Sequence, residues 1–144
     1  MSFTGEFRHA VDAKGRLIVP ARLREELDEG KVVLTGWLDG CIAMWSDRRW
    51  NERVAEPLIA ARNSDPRKRM VARAIAANAH TDVVDAQGRV TVPENLREFA
   101  GITRDVVVIG SLDHAEIWSP DRWDGQKAKV ASGGLEELAQ ELDF

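Results

Sequence analysis

Cysteine, histidine and long hydrophobic runs are scarce in this sequence. Its 144 residues include one cysteine and three histidines, so an internal disulfide is impossible and a structural zinc site is not expected. No apolar run approaches the roughly 20 residues that a membrane-spanning helix needs. The first residues also lack the basic-then-apolar order of a signal peptide. The sequence therefore predicts a cytoplasmic protein without a membrane partner.

Motifs that carry catalysis are absent as well. The sequence has no glycine-rich phosphate loop, no supported serine–histidine–aspartate arrangement and no metal-ligating cluster. Cys41 lies among apolar residues of a predicted strand, where a buried, inert thiol is the ordinary state. His9, His80 and His114 are expected at the surface or in turns. We therefore expect no enzymatic activity, no small-molecule substrate, no cofactor and no metal.

An excess of positive charge is also missing. Twenty basic and 24 acidic residues give a net charge of −4, which taken alone speaks against a nucleic-acid-binding protein. Residues 1–50 carry eight basic and eight acidic side chains. Residues 51–80 carry six basic and three acidic side chains, and residues 81–144 carry six basic and thirteen acidic ones. Because the acidity is concentrated in the last region, the N-terminal half can still face an anion, and DNA is not excluded.

What the sequence does contain is an internal repeat. The fifteen residues from Val11 to Glu25 return from Val84 to Glu98 with ten identical positions, at an offset of 73. A looser resemblance continues to Trp45 and Trp118. Two copies of a unit of about 40 residues thus flank a middle segment that has no copy. Such a unit has too little core to be stable alone, so both copies are expected to form one pseudo-two-fold β unit.

Each copy predicts short strands and one small helix. Two strand pieces flank a tight turn at Gly15 or Gly88, where glycine can take a positive φ. A proline, Pro20 or Pro93, then stands where a helix can begin. Alternate residues after each turn are predicted to form one buried face; they are Leu17 and Val19 in the first copy and Val90 and Val92 in the second.

The segments outside the copies predict helices. Ser46, Ser119 and Asp65–Pro66 are predicted helix starts, and the middle segment reads as a helical hairpin. The end of the chain is acidic and interrupted by glycines, with at most a short amphipathic helix over residues 135–142. We therefore divide the chain into a first module at residues 1–50, a helical connector at 51–80, a second module at 81–124 and an acidic tail at 125–144.

The turn of each copy has the form Asp-x-x-x-Arg. It runs from Asp12 to Arg16 in the first copy and from Asp85 to Arg89 in the second. One interpretation is structural, with the aspartate capping the turn and the arginine pairing back to it. The duplication favours a functional loop, but duplication also preserves folding signals. The motif alone leaves both interpretations open.

These residues resemble the MraZ family of bacterial transcriptional regulators. The positions that carry the resemblance are Phe3, Gly5, His9, Asp12, Lys14, Gly15, Arg16, Pro20, Arg24, Asp85, Gly88 and Arg89. It covers roughly residues 1–125 and implies two AbrB-like swapped-hairpin modules in a double-split β-barrel with a helical insert, a mainly β fold with helices (α+β). It also implies a nucleoid-associated, closed homo-oligomeric ring. The ring would bind G-rich direct repeats in the promoter of its own division and cell-wall operon.

The chemistry of the motif agrees with that role. Arginine can present its fork of donors to guanine O6 and N7 in the major groove, so Arg16 and Arg89 are the predicted base-reading residues. Lys14 is predicted to contact phosphate or a second base, and Gln87 in the second loop to bind more weakly. The remaining candidates are Arg8 and His9 as flanking DNA contacts, and Asp12, Gly15, Pro20, Asp85, Gly88 and Pro93 as residues that shape the motif.

Two other interpretations use different parts of the chain. The arginine-rich helix that begins at Pro66 could be the recognition helix of a helix-turn-helix, although the turn before it lacks the usual glycine. An AbrB-like antitoxin or protein-binding module could use the acidic tail to wrap a basic partner, although such antitoxins usually carry one module per chain. A ring of DNA-binding subunits is favoured, because avidity would compensate for the modest charge of one subunit.

Overall fold

The computed structural model describes residues 2–142; Met1 and the last two residues of the predicted acidic tail, Asp143 and Phe144, lie outside the described residues. The strands are β1 (Glu6–Ala10), β2 (Arg16–Ile18), β3 (Lys31–Gly36), β4 (Ile42–Ser46), β5 (His80–Val83), β6 (Arg89–Thr91), β7 (Asp105–Gly110) and β8 (Ala115–Trp118). The helices are α1 (Ala21–Arg24), α2 (Asp47–Trp50), α3 (Glu56–Ala61), α4 (Pro66–Ala77), α5 (Glu94–Ala100), α6 (Pro120–Lys129) and α7 (Leu135–Glu141). A wider, π-helical segment, Asn51–Ala55, joins α2 to α3, and the segment Val130–Gly134, which contains the non-helical residues Ser132 and Gly133, joins α6 to α7.

The two copies are interleaved by strand pairing. Six strands form an antiparallel sheet in the order β1-β7-β8-β4-β3-β5, and β2 pairs with β6 in a separate two-stranded ribbon. Strand β1 therefore pairs in the second copy and β5 in the first, which confirms the predicted swapped hairpins. The barrel does not close, because β1 and β5 remain the two edges of the sheet.

One core serves both copies. Leu17, Val19, Val90 and Val92 are each at most 2% exposed, as the alternating pattern predicts. They belong to one cluster that also contains apolar residues of β3, β4, β7 and β8. Neither copy encloses this core by itself, which agrees with the prediction that both copies build a single unit.

The helix starts follow the predicted capping chemistry with one difference. The side chains of Ser46, Asp65 and Ser119 each accept a hydrogen bond from a backbone N–H in the first helical turn. Pro20 and Pro93 stand one position earlier than predicted. Their ψ angles of 137° and 149° are extended, so each is the residue before its helix rather than the first helical residue.

Helices follow the second copy as well as the first. Those after the second copy extend further along the chain than the sequence predicts. Helix α6 continues to Lys129, so the predicted boundary between residues 124 and 125 falls inside a helix. The boundary between residues 50 and 51 does so as well, because the chain stays helical from α2 into α3. Gly133, with a φ of 88°, breaks the helical path before α7. The cap serine and one tryptophan recur at the start of these helices, as Ser46 and Ser119 and as Trp50 and Trp123, and few residues recur beyond them.

The helical hairpin of α3 and α4 packs on one side of the sheet. Ile75 and Ala79 contact a cluster that contains Val33, Trp45 and Val54. Val71, which the helical spacing places with them, is 51% exposed. None of the helices in residues 2–142 is both long and apolar enough to cross a membrane.

His114 lies in the turn before β8, as predicted, but its side chain is buried rather than at the surface. Its ring stacks on Trp45 with centroids 4.5 Å apart, because β8 pairs directly with β4. Its two ring nitrogens lie 2.7 Å from Asp113 and 2.9 Å from Glu116. Burial lowers the pKa of His114, but the hydrogen bonds and charges of Glu116 and Asp113 outweigh it and leave this pKa raised. Cys41 is buried as predicted, and burial raises the pKa of its thiol.

Candidate nucleic-acid interface

The first loop is organised around Asp12. One carboxylate oxygen, Oδ1, accepts hydrogen bonds from the backbone N–H groups of Lys14 at 3.0 Å and Arg16 at 2.8 Å. The other, Oδ2, accepts from Arg16 Nε at 2.8 Å. These bonds, first among them the one from the Arg16 backbone, lower the pKa of Asp12. Arg16 is therefore held through Nε, which leaves its two terminal nitrogens outside the Asp12 contact.

The second loop repeats this arrangement. Asp85 accepts from the backbone N–H groups of Gln87 and Arg89 and from Arg89 Nε, each at 2.9 Å. The backbone bond from Arg89 is the main cause of the lowered pKa of Asp85. A further bond has no counterpart in the first loop: Arg89 Nη2 donates to Gln87 Oε1 at 3.3 Å. One terminal nitrogen of Arg89 is thus engaged within its own loop.

Each loop is fastened to the opposite copy through its glycine. Gly15 and Gly88 both have a φ of 80°, the left-handed region that favours glycine. The carbonyl of Gly15 accepts from the Val92 N–H at 2.7 Å, and that of Gly88 from the Val19 N–H at 2.8 Å. These bonds extend the pairing of β2 with β6, so the position of each loop depends on the other copy.

Two arginines near the loops were not singled out as site residues. Arg97 of α5 lies against Gly15, where an added Cβ would stand 3.3 Å from its Nη2. Arg24 of α1 lies against Gly88, where its guanidinium occupies the space of a Cβ. They occupy equivalent positions of the repeat, 73 residues apart. Their recurrence in the repeat is the sequence feature that could have pointed to these two arginines. Only the interleaved fold, however, brings each arginine to the loop of the other copy.

The β2–β6 ribbon turns one face to solvent. Arg16 pairs with Thr91 and Ile18 with Arg89, and paired residues of an antiparallel ribbon lie on the same face. The opposite face, formed by Leu17 and Val90, is buried. The exposed face therefore carries four side chains at the corners of a quadrilateral. The two arginines stand on one diagonal, and Ile18 and Thr91 stand on the other.

The other predicted site residues are distributed unevenly. Lys14 and Gln87 are exposed at the tips of the two loops. Arg8 is not brought to the loops by any described contact; it pairs with Glu6 at 3.8 Å and with Asp124 of α6 at 3.5 Å. His9 is half-buried in β1. The structure thus brings together the four loop residues and leaves Arg8 in an acidic neighbourhood.

The ribbon, its loops and the arginines against the turn glycines carry five cations despite the negative net charge of the chain. The cations are Lys14, Arg16, Arg24, Arg89 and Arg97, and the carboxylates that accept hydrogen bonds from the loops and the ribbon are Asp12, Asp82 and Asp85. All three carboxylates accept backbone hydrogen bonds, Asp82 from the Thr91 N–H at 2.8 Å. In residues 2–142, no group of three or more histidine, cysteine, aspartate or glutamate side chains is arranged to hold a metal ion.

This arrangement suits a planar, hydrogen-bond-accepting target. The fork of an arginine matches carboxylate, phosphate and the O6/N7 edge of guanine. Bracing at Nε restricts the side chain before it binds, which reduces the conformational entropy lost on binding. A two-stranded ribbon is also one of the two elements that the major groove of DNA admits. The exposed face of the ribbon is therefore a candidate surface for reading base edges.

Comparison with known proteins identifies one family. The model of the family described as "MraZ protein, putative antitoxin-like" matches twice, at residues 2–74 and 75–143. Each match therefore includes one copy of the strand module together with the helices that follow it.

Curated relatives resemble the chain over its length. "Transcriptional regulator MraZ" of Heliobacterium modesticaldum is 43% identical over 143 residues, which is 99% of this chain and 98% of the relative. The protein of the same name from Thermomicrobium roseum is 39% identical, covering 97% and 96% of the two chains. The protein of that name from Lachnoclostridium phytofermentans is 41% identical, and the match covers 97% of this chain and 94% of the relative.

Proposed function

The chain belongs to the MraZ family of transcriptional regulators, and on this premise we propose that it regulates transcription by binding DNA in a sequence-specific way. The observation that carries the proposal is the pair of aspartate-braced arginines, Arg16 and Arg89, on the exposed face of the β2–β6 ribbon. The family resemblance supplies the expected target, which is a set of G-rich direct repeats in the promoter of its own division and cell-wall operon.

The ribbon enters the major groove with its exposed face toward the bases. The terminal nitrogens of Arg16 donate to O6 and N7 of one guanine, and those of Arg89 to a second guanine. Lys14 reaches a phosphate beside the first guanine and fixes the register of the ribbon. Asp12 and Asp85 do not face the DNA, because their oxygens are occupied by the turns. Their role is to hold the arginines in position.

We further propose that the subunits assemble head to tail through their helical hairpins. A groove of about 640 Å³ lies between α3 and α4. Its apolar lining includes Leu58, Ile59 and Ile75, and its polar lining includes Arg62, Asn63, Arg69 and Arg73.

Helix α7 has the complementary character. Leu135, Leu138 and Leu142 are 63%, 49% and 66% exposed, and their spacing places them along one side of the helix. Glu136, Glu137 and Glu141 lie beside them in the sequence. An acidic helix with an apolar stripe fits a basic-lined apolar groove, and these two surfaces stand on different halves of the chain. Pairing them between subunits gives a heterologous contact, which closes into a ring if the rotation allows.

Head-to-tail assembly supports recognition of direct repeats. Successive subunits of such an assembly present their ribbons in the same orientation, as direct repeats do. Each ribbon contributes few positive charges, so several ribbons on linked sites supply the affinity. This accounts for a DNA-binding protein whose net charge is −4.

A promoter-binding experiment tests the DNA-binding proposal. The wild type should shift a fragment of its own promoter, and Arg16→Ala should not. Arg22→Ala is the matched control, because Arg22 is an exposed arginine of α1 that stands over the Phe7 ring, 6.0 Å from its centroid, and not on the ribbon. Replacing the guanines by 7-deazaguanine, which lacks N7, should weaken the wild type. If Arg16→Ala binds as well as the wild type, the loop is not the reader.

Light scattering tests the assembly. Arg73→Glu should reduce the mass of the particle, and Glu137→Arg in the same chain should restore it. Arg67→Glu is the control, because Arg67 is an exposed residue of α4 that is not among the residues lining the groove. An unchanged mass for Arg73→Glu would contradict a contact through this groove.

The exposed leucines and glutamates of α7 also favour a second function, an antitoxin-like module that binds a protein. In that case α7 would wrap a basic protein partner rather than another copy of the chain. Co-purification of a small basic protein that is lost when residues 135–142 are removed would support it. If the purified chain forms an oligomer by itself, and if that oligomer requires both α7 and the groove, assembly between subunits is favoured instead.

A further inference from the structure

The face between the two arginines carries a half-exposed isoleucine. Ile18 is 50% exposed, whereas its neighbours Leu17 and Val19 are 2% and 1% exposed. It is paired with Arg89 across the ribbon and stands two residues from Arg16 in β2. Strand alternation therefore places its side chain on the same face as both arginines. An apolar, branched side chain therefore occupies one corner of the surface that we propose enters the major groove, next to both arginines.

The chemistry of this side chain restricts what it can contact there. The edges of guanine, adenine and cytosine present acceptors and donors, whereas thymine presents the C5 methyl group beside its O4 acceptor. Isoleucine has no side-chain donor or acceptor, and a polar base edge buried against it would lose its hydrogen bonds to water. Contact with a methyl group instead removes apolar surface on both sides from water. Thymine is therefore the base that Ile18 accommodates.

Resting on the DNA-binding function proposed above, we propose that Ile18 determines specificity by reading the methyl group of a thymine close to the guanine bound by Arg89. Directly opposite residues have Cβ atoms about 4.5–5.5 Å apart, and successive bases rise by about 3.4 Å. The thymine accordingly lies within about two base steps of that guanine.

The equivalent position in the other half of the ribbon is different. Thr91 stands opposite Arg16, and threonine offers both a methyl group and a hydroxyl group, so it can contact several bases. One half of the ribbon thus requires thymine and the other half does not. This difference gives the recognised site a direction, which suits direct repeats better than inverted ones.

Deoxyuridine substitution tests the proposal, because deoxyuridine lacks the C5 methyl of thymidine and keeps its hydrogen-bonding groups. The probes are duplexes that the wild type selects from a random pool, with each thymine replaced in turn. For the wild type we expect about a fourfold loss of affinity at one position, the effect of burying one methyl group. Ile18→Ala should bind the two duplexes equally, and Ile18→Val, which keeps a branched apolar side chain, should retain the discrimination.

Two further variants serve as controls. Leu38→Ala removes an apolar side chain that is 71% exposed but lies outside the ribbon, and it should discriminate as the wild type does. Thr91→Ser should leave the Ile18-dependent position unchanged.

The proposal is overturned if deoxyuridine has no effect on the wild type at any position, or if Ile18→Ala still discriminates. Either result would leave the DNA-binding function intact, provided that 7-deazaguanine and Arg16→Ala still weaken binding. If the selection enriches no sequence, or if those two changes have no effect, the DNA-binding function fails and the role of Ile18 falls with it.

Discussion

The two loops at the ends of the ribbon share a backbone but present different side chains. In both, the aspartate accepts two backbone bonds and one arginine bond at 2.8–3.0 Å. Both turn glycines have a φ of 80°. The first loop presents Lys14 at its tip, whereas the second presents Gln87, which takes up one terminal nitrogen of Arg89. The duplicated part is the aspartate-braced backbone, and the divergent part is the exposed residue at the tip.

The same division holds beside the loops. Ile18 of β2 is replaced in β6 by Thr91, and His9 of β1 is replaced in β5 by Asp82. Asp82 adds a carboxylate at the Thr91 end of the ribbon, where it caps the Thr91 N–H. The second half is thus less cationic and less apolar than the first. We infer that the first half provides most of the affinity.

The largest expected effect comes from removing one arginine at a time. A bidentate arginine–guanine contact is worth about 1–3 kcal/mol, so Arg16→Ala should weaken specific binding about 10- to 100-fold. Arg89→Ala should cost less, because Gln87 already engages part of its guanidinium. Titration of a fluorescent promoter duplex at fixed salt measures both variants.

Lysine at the same positions is the matched control. It keeps the charge but not the planar fork, so Arg16→Lys should retain binding to unrelated DNA and lose the preference for the G-rich repeats. A larger loss for Arg89→Ala than for Arg16→Ala would reverse our ranking of the two halves.

Alanine at the two turn glycines should affect stability more strongly in the first loop. Both substitutions force a left-handed backbone, at about 1–2 kcal/mol. At Gly15 the new Cβ would also stand 3.2 Å from the Val92 carbonyl oxygen, which is backbone and moves only with the ribbon. At Gly88 it meets the Arg24 guanidinium, which can swing into solvent. In urea denaturation, the loss in free energy of unfolding should lie at the upper end of that range for Gly15→Ala and at the lower end for Gly88→Ala.

A double-mutant cycle separates these two causes. Arg24→Ala should relieve part of the cost of Gly88→Ala, whereas Arg97→Ala should not relieve Gly15→Ala, because the Val92 carbonyl remains. Equal relief in both loops would show that the arginines, and not the backbone, limit the space.

Exchanging the tip residues should change how DNA binding depends on salt. Each cation–phosphate contact adds about 0.9 to the slope of log affinity against log salt concentration. Lys14→Gln should lower the slope by about that amount, and Gln87→Lys should raise it by as much only if the second tip also faces a phosphate. Carrying out both changes together should leave the slope nearly unchanged if the two tips are equivalent. An unaltered slope for Lys14→Gln would show that Lys14 does not contact phosphate.

Features that depend on local chemistry are predictable from the residues alone. The positive φ of Gly15, the buried alternation of Leu17 and Val19 and the cap at Ser46 each follow from a few neighbouring side chains. The aspartate-braced turn belongs to this group, because a carboxylate four residues before an arginine can satisfy both the turn and the side chain. The positions of the candidate loops along the chain therefore follow from the amino-acid sequence.

Features that depend on long-range pairing are not predictable in this way. The pairing of β2 with β6 across the two copies brings Arg24 and Arg97 to the loops, and no local pattern encodes that pairing. The pairing of β8 with β4 likewise buries His114 against Trp45, although the turn composition around His114 is typical of an exposed site. The full extent of the helices after Trp118 is not predictable from the repeat, because few residue identities recur beyond Trp50 and Trp123.

The smallest expected effect concerns the two turns that precede β4 and β8, in which Cys41 and His114 stand directly before the first residue of the strand. The pKa of His114 is raised because Glu116 and Asp113 outweigh its burial. A raised pKa in the folded state means that protonation stabilises the fold below the unfolded pKa of about 6.5, and that this contribution is lost as the pH rises through the folded value. NMR titration should give a raised pKa for His114, and the free energy of unfolding should fall as the pH rises above about 6.5. His114→Gly, which removes the ionisable ring, should remove that slope. A slope that persists in His114→Gly would assign the pH dependence to another group.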